Sequence, residues 1–389
     1  MKIPFKYNIR SLFVRSGTTL MTIASIAFVV LVYIGVLALA GGLRVAFAAS
    51  GDPRNVLVLR EGAKTETESF FDQDKARQLA ALPGVARGAD GQPLASGQVI
   101  LLQILKRNDG SESNVALRGV EPAVFAIRPQ VRIVDGRQFE PGKGEVIVGK
   151  NLAERFRDLK LGNEVTFGRI RFKVVGVFDS NGGSFNSEVW GGALDLRNAF
   201  RSSSSSFSST LLQASSPEQA EALVRTIQGD QRLKLQAMSE TKYFAQQATA
   251  NSGQFILLGN VLAVMMAFGA CFAAANTMYA QVSARSHEIG TLRALGFRRR
   301  SILAAFMVEA ALVGLFAGVV GAVLALPLNG LTAATMNGMT FSEITFALRT
   351  TPDILMGGVL LALLTGVVGG FPAAWSASRR PVTVLLREH

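Results

Sequence analysis

The 389-residue chain is 49% hydrophobic and only 17% charged, with a mean hydropathy of +0.31 and a net charge of +12. Soluble domains average roughly 25% charged residues, so the composition argues against an ordinary cytosolic enzyme and against a disordered chain. A single cysteine, Cys271, and two histidines, His287 and His389, exclude an intrachain disulfide and a cysteine-based zinc site and leave little for histidine chemistry.

In chain order, residues 1–17 carry Lys2, Lys6, Arg10 and Arg15 and no acid. IPFKYNIRSLFVR (3–15) mixes apolar and basic residues, which predicts an amphipathic helix lying in the membrane interface. Residues 18–43 are long and apolar enough for a first transmembrane helix, which needs about 20 residues. The stretch is too long for a signal peptide, and no clear cleavage site precedes Arg44. Residues 44–253 read as a mixed α/β domain. NVLVL (55–59), EVIVG, EVTFG and RFKVVGVF are predicted strands, and FFDQDKARQLAAL (70–82), NLAERFRDL and SPEQAEALVRTIQ (216–228) predicted helices. QVILLQIL (98–105) and SNVALRGV (113–120) form a predicted hairpin around Asn108-Asp109-Gly110, because Asp-Gly supplies the positive φ of a tight turn. SSSSSFSS (202–209) is low in complexity and reads as a loop. GEVIVGKN (144–151) nearly matches a phosphate-binding loop. It places Asn151 where the Mg²⁺-holding Ser or Thr belongs and lacks a glycine-rich turn, so it is read as strand and helix. With no other Walker-type loop and no hydrolase or metalloprotease motif, the chain is expected to be non-catalytic.

Three further spans are predicted at 254–283, 302–328 and 354–375, separated by a loop at 284–301 and a short loop at 329–353 and followed by a tail at 376–389. The 284–300 loop carries Arg285, Arg293, Arg298, Arg299 and Arg300 against Glu288, and the tail carries Arg379, Arg380 and Arg387 against Glu388. The positive-inside rule therefore puts both termini and the 284–301 loop in the cytoplasm and 44–253 outside. Residues 44–253 hold 27 basic and 23 acidic residues, so much of the surplus charge sits at the inner membrane face. That distribution points to anionic lipid headgroups and away from nucleic acid.

Within the spans, Gly314-x-x-x-Gly318 and Gly366-x-x-x-Gly370 have the spacing that lets helices approach closely in lipid. The pattern leaves open whether the helices that meet belong to one chain or two. Glu309, seven residues into the third span, is expected to face the bundle interior and to pair with a structural partner such as an arginine rather than to relay protons. The loop ARSHEIGTLRALGFRRR reads as a short helix that breaks at Gly296, with Ile289, Leu292 and Leu295 apolar and suited to a partner's groove.

Glu288, Ile289, Gly290, Arg293, Ala294 and Gly296 match the E-I-G-x-x-R-A-x-G signature, and the loop thereby resembles that of MacB/FtsX/Lol-type ABC transporter permeases, the type VII mechanotransmission class. FPAAWSASRRPVTVLLRE (371–388) resembles the same family's close, and GRQFEPGKGEVIVGKNLAERF resembles part of its outer domain. The resemblance implies four transmembrane helices with a large α/β extracytoplasmic domain between the first and second, in a bacterial inner membrane. It makes Glu288, Ile289, Gly290, Leu292, Arg293, Ala294, Leu295 and Gly296 the ATPase-coupling segment. It implies as partners a dimer of separate ATPase subunits, which binds the ATP and Mg²⁺, and a second permease copy, identical or a sister chain. A periplasmic adaptor and an outer-membrane channel are further candidates. Motion of the outer domain would then drive export or extraction of a drug, peptide, glycolipid or lipoprotein. The alternative is an FtsX-like signalling permease that activates a cell-wall hydrolase without transport. Gly51-Asp52-Pro53 and Gly253 are expected to break the extensions that join the domain to the first and second helices.

Overall fold

The computed structural model describes residues 16–200 and 206–379. The amphipathic segment therefore lies almost wholly outside the described residues, as do 202–205 and most of the tail. Helix α1 (Ser16–Ala48) leads into the inserted domain. There follow β1 (Asn55–Arg60), β2 (Phe71–Asp72), α2 (Gln73–Ala80), β3 (Ala95–Lys106), β4 (Glu112–Val120), α3 (Val124–Ile127) and β5 (Arg132–Gly136). Next come β6 (Glu145–Gly149), α4 (Lys150–Arg155), β7 (Glu164–Phe167), β8 (Ile170–Asp179), β9 (Glu188–Gly192) and α5 (Ala193–Ala199). The domain continues with β10 (Ser206–Phe207), β11 (Ser209–Gln213), α6 (Pro217–Gly229) and β12 (Leu235–Ser239). Helix α7 (Glu240–Ala284) follows at once, then α8 (Ser286–Ala294), α9 (Arg299–Ala325), β13 (Thr332–Met336), β14 (Glu343–Ala347) and α10 (Pro352–Arg379). Helices α1, α7, α9 and α10 are each long and apolar enough to cross a membrane.

The chain divides into two compact units. One comprises the chain up to Gly41, Gln254–Leu331 and the chain from Leu348 on; the other comprises Gly42–Gly253 and Thr332–Ala347. The second unit is built on one sheet in the order β12-β1-β11-β3-β4-β9-β6-β8-β5, with β7 on β8. Strand β1 reads as a continuous apolar run because both its faces are covered: Val56, Leu57, Val58 and Leu59 are all buried. The β3–β4 hairpin turns at Gly110, whose φ of 83° only glycine adopts without strain. Helix α6 starts where Ser216 Oγ accepts the Gln219 amide and Pro217 occupies the first turn. Its Ala220, Leu223 and Ile227 pack onto Val56, Leu79, Phe207 and Leu212, forming one core. A second core gathers Val115, Leu117, Val148, Phe156, Phe167 and Phe172 from the other half of the sheet. The described part of the low-complexity run contains strand: Ser206–Phe207 pairs with β2, and Phe207 is buried under Gly97.

Two expectations change. Residues 329–353 do not form a simple outer loop. Their centre folds into the β13–β14 hairpin and packs as part of the inserted domain. Gly253 breaks nothing, because α7 is continuous through it; only Gly51–Pro53 interrupts the chain, just past α1.

In the other unit, the glycine repeats join α9 to α10 of the same chain. A Cβ at Gly314 would stand 2.6 Å from the Ala362 carbonyl oxygen, and one at Gly366 would stand 2.7 Å from the Ala310 carbonyl oxygen. Gly318 and Gly370 meet Ala362 and Ala310 side chains in the same seam. Such small residues let backbones pack where lipid offers no hydrophobic drive. A second cluster sets Ile26, Val30 and Ile34 of α1 against Ala270, Ala317 and Ala362.

Candidate functional site

The loop between α7 and α9 is a helix with two faces. Arg285 stands just ahead of α8, and Gly296, at φ 93°, turns the chain toward α9. Ile289 is 3% exposed and sits among Met278, Val282, Ile302, Phe306 and Ala377. Gly290 and Ser286 are also buried, and the Arg293 guanidinium donates to the Ser378 carbonyl oxygen at 2.9 Å, fixing α8 to the end of α10. Arg285 reaches Glu309 Oε2 at 3.3 Å, so the carboxylate inside the span has an arginine partner. His287, Glu288, Thr291, Ala294 and Leu295 lie on the opposite face and are exposed, Leu295 to 68%, while Leu292 is half-buried. Residues three and four apart share a helix face, and the motif divides on that geometry. Ile289, Gly290 and Arg293 hold α8 to its own bundle; Glu288, Ala294 and Leu295 are presented outward. Of the three apolar residues read as partner anchors, only Leu295 is fully free for that role.

The inserted domain carries three buried charge clusters that the sequence reading did not identify. Arg118, 4% exposed, donates from Nη1 and Nη2 to Glu66 (2.9 and 3.0 Å), from Nε and Nη2 to Glu188 (2.6 and 2.8 Å), and from Nη1 to Gln98 Oε1 at 2.6 Å. Burial pushes the Glu66 carboxyl up, but the Arg118 charge and hydrogen bonds and the Ser209 hydroxyl outweigh it, leaving the group below its ordinary value of 4.5. Glu240, the first residue of α7, is fully buried and accepts from Arg128, Asn55 and the Asp52 amide. Arg128 also lies 4.3 Å above the Phe185 ring. Nearby, Phe47 of α1 stacks on Phe244 of α7, and Arg44 Nε donates to Ser252 Oγ at 3.0 Å. These contacts tie the domain ends of α1 and α7 to each other and to the sheet.

The third cluster docks the β13–β14 hairpin. Glu343, 3% exposed, accepts from Arg107 at 2.6 and 2.8 Å and pairs with Arg155 at 3.1 Å. The Thr345 amide donates to Ser187 Oγ at 2.8 Å, its carbonyl accepts Asn151 Nδ2 at 3.0 Å, and the Gly338 amide donates to Asn251 Oδ1 at 2.7 Å. The hairpin, α7 and β3–β4 together enclose a cavity of about 50 Å³ lined by Glu66, Arg118, Tyr243, Gln247 and Asn337. A signal for the hairpin was present in the sequence: Asn337-Gly338 is a strong turn dipeptide, and FSEITFA alternates.

Residues 19–229 match the model of the MacB-like periplasmic core domain, and residues 260–382 match the FtsX-like permease C-terminal model. The chain belongs to the MacB/FtsX family of ABC transporter permeases. Over 247 residues, 59% of this permease, it is 29% identical to the pyoverdine export ATP-binding/permease protein PvdT of Pseudomonas syringae pv. tomato, 35% of which is covered. Over 329 residues, 78% of its length, it is 26% identical to the macrolide export ATP-binding/permease protein MacB of Bradyrhizobium diazoefficiens, 48% of which is covered. The permease thus spans between a third and a half of the length of these relatives. A solved structure of the periplasmic region of MacB from Actinobacillus actinomycetemcomitans aligns over 52% of the permease and 95% of that chain, with 14% identity and a TM-score of 0.38. The permease is a multi-pass membrane protein with a periplasmic core domain between its first and second long helices.

Proposed function

We propose that this permease couples ATP hydrolysis by a separate ATPase dimer, which holds the ATP and Mg²⁺, to motion of its periplasmic domain. The motion drives export or extraction of a drug, peptide, glycolipid or lipoprotein. A second permease copy, identical or a sister chain, completes the assembly. Both termini and the 284–301 loop face the cytoplasm of a bacterium, as the arginines of that loop and of the tail favour.

The observation that carries this reading is α7. It is one unbroken helix, roughly 68 Å long at 1.5 Å per residue, from Glu240 to Ala284. Its first residue is locked by a buried ion pair, and α8 follows after a single residue. A continuous helix resists axial compression, so a push on α8 at one end is delivered to the domain at the other. The exposed stripe of Glu288, Thr291 and Leu295 is the face offered to the ATPase.

Affinity purification of the full chain from its host membrane tests the reading. An ABC ATPase should copurify, and Thr291→Asp with Leu295→Asp should release it while leaving the chain folded. Retention of the ATPase by that variant would remove α8 from the coupling role. Unchanged substrate movement in cells, together with lost activation of a cell-wall hydrolase, would instead favour signalling.

A further inference from the structure

Thr277 and Gln281 stand four residues apart on α7 and so lie on one stripe of that helix, and Arg285 directly follows its last residue. Each has a polar partner within the bundle. Thr277 Oγ1 lies 2.7 Å from Thr22 Oγ1 of α1, Gln281 Nε2 donates to Thr19 Oγ1 at 3.4 Å, and Arg285 pairs with Glu309 of α9. The middle position is the incomplete one. Gln281 is 4% exposed, and its Oε1 has no hydrogen-bond partner among the described residues. Exchanging the oxygen and nitrogen of the amide does not remove the problem: Thr19 then donates to the oxygen, and the NH₂ group loses its partner instead.

The same side chain lines a cavity of about 20 Å³ together with Thr19, Thr22, Thr277 and Gly366. One water needs about 10–15 Å³ of such space and two to four polar partners. The cavity offers that room, an amide end and neighbouring threonine hydroxyls. It is too small for any organic substrate. Lipid cannot satisfy a polar group here, so an amide left bare inside the bundle carries the full penalty of an unmade bond.

We propose that Gln281 binds a single water molecule between α1 and α7, bridging its amide to the threonine hydroxyls of the seam. The α1–α7 contact is then a hydrated polar seam one turn from the Arg285–Glu309 pair. Its hydrogen bonds exchange through the water rather than breaking outright when the two helices shift.

The test uses the full chain, uniformly ¹⁵N-labelled, in lipid nanodiscs and water-edited solid-state NMR. The signal lost in Gln281→Leu, or in Gln281→Met should the first variant not fold, identifies the Gln281 amide. Magnetisation from water is expected to reach that amide sooner than it reaches the backbone amides of Ile26 and Val30, which are buried in the same bundle. Build-up at the Gln281 amide no faster than at those two positions would overturn the proposal.

Discussion

Glu343→Gln removes the charge that docks the β13–β14 hairpin while keeping the shape of the side chain. Breaking a fully buried ion pair by removing one partner costs about 3–5 kcal/mol. Two features of the site reduce that figure. Arg107 and Arg155 keep 25% and 32% of their side-chain surface, so water takes up part of the unpaired charge, whereas Glu343 itself keeps 2%. Both Arg107 bonds end on Glu343 Oε2, so a glutamine oxygen in that place still accepts them, and what is lost is the charge and the Oε1 contact with Arg155. An expected cost of about 1.5 kcal/mol, that of one charge-assisted hydrogen bond, corresponds to roughly a tenfold rise in the undocked population.

The Thr345 amide reports this directly, because it donates across the docking seam to Ser187 and not to β13. Hydrogen exchange on the full chain in lipid should show its protection falling about tenfold in Glu343→Gln. The Asn251–Gly338 bond should keep the hairpin from detaching altogether. Equal protection of Thr345 in the two proteins would refute the reasoning, since the carboxylate would then contribute nothing to docking.

The glycines give a paired test. Gly253→Ala adds a methyl group with no atom within 4 Å, inside a continuous helix, and should stabilise the chain by roughly 0.5–1 kcal/mol in reversible unfolding. Gly366→Ala drives a methyl group onto the Ala310 carbonyl and should destabilise it by about 1–3 kcal/mol. Acid should weaken the inserted domain through Glu66. Its carboxyl lies below its unfolded value in the folded state, so its stabilisation is present above pH 4.5 and is lost as the pH falls through the lower folded value. Glu66→Gln should therefore flatten the fall in melting temperature below pH 4.5. Orientation is checked with Gln231→Cys and Thr291→Cys, each in a Cys271→Ala background: an impermeant thiol reagent added to intact cells should label the first and spare the second.

The four long helices and most strands were legible because apolar length and period-two alternation are local properties. The 98–105/113–120 hairpin was legible because Asp109-Gly110 encodes its own turn. What the sequence concealed depends on residues distant along the chain. Arg118 sits within an apolar strand and meets Glu66 and Glu188 only after β4 pairs with β9. Glu343 belongs to a stretch whose turn signal is local, but its partners Arg107 and Arg155 come from β3–β4 and α4, some two hundred residues away. Gly253 misled for the opposite reason. A helix-breaking tendency of about 1 kcal/mol against alanine is small beside the packing of Phe47 on Phe244 and of Arg44 on Ser252, which holds that part of α7 helical.

Burial within α8 changes what its motif means. A docking surface alone would place its apolar residues outward, yet Ile289 and Gly290 point into the bundle and Arg293 is tied to the end of α10. The motif therefore encodes an attachment as much as a surface. On the proposed coupling role, a helix that only touched a partner would swivel under load, whereas one pinned at Ile289 and Arg293 would pass it to the helices it is fixed to. The two halves of the motif separate by assay. Ile289→Asp places a charge in the Met278–Phe306 cluster and should lower the melting temperature of the chain whether or not a partner is present. Leu295→Asp should leave the melting temperature unchanged and weaken only the association with the ATPase. If both substitutions lowered the melting temperature equally, Leu295 would be part of the bundle, and the outward face of α8 would have to be assigned to Glu288 and Thr291 alone.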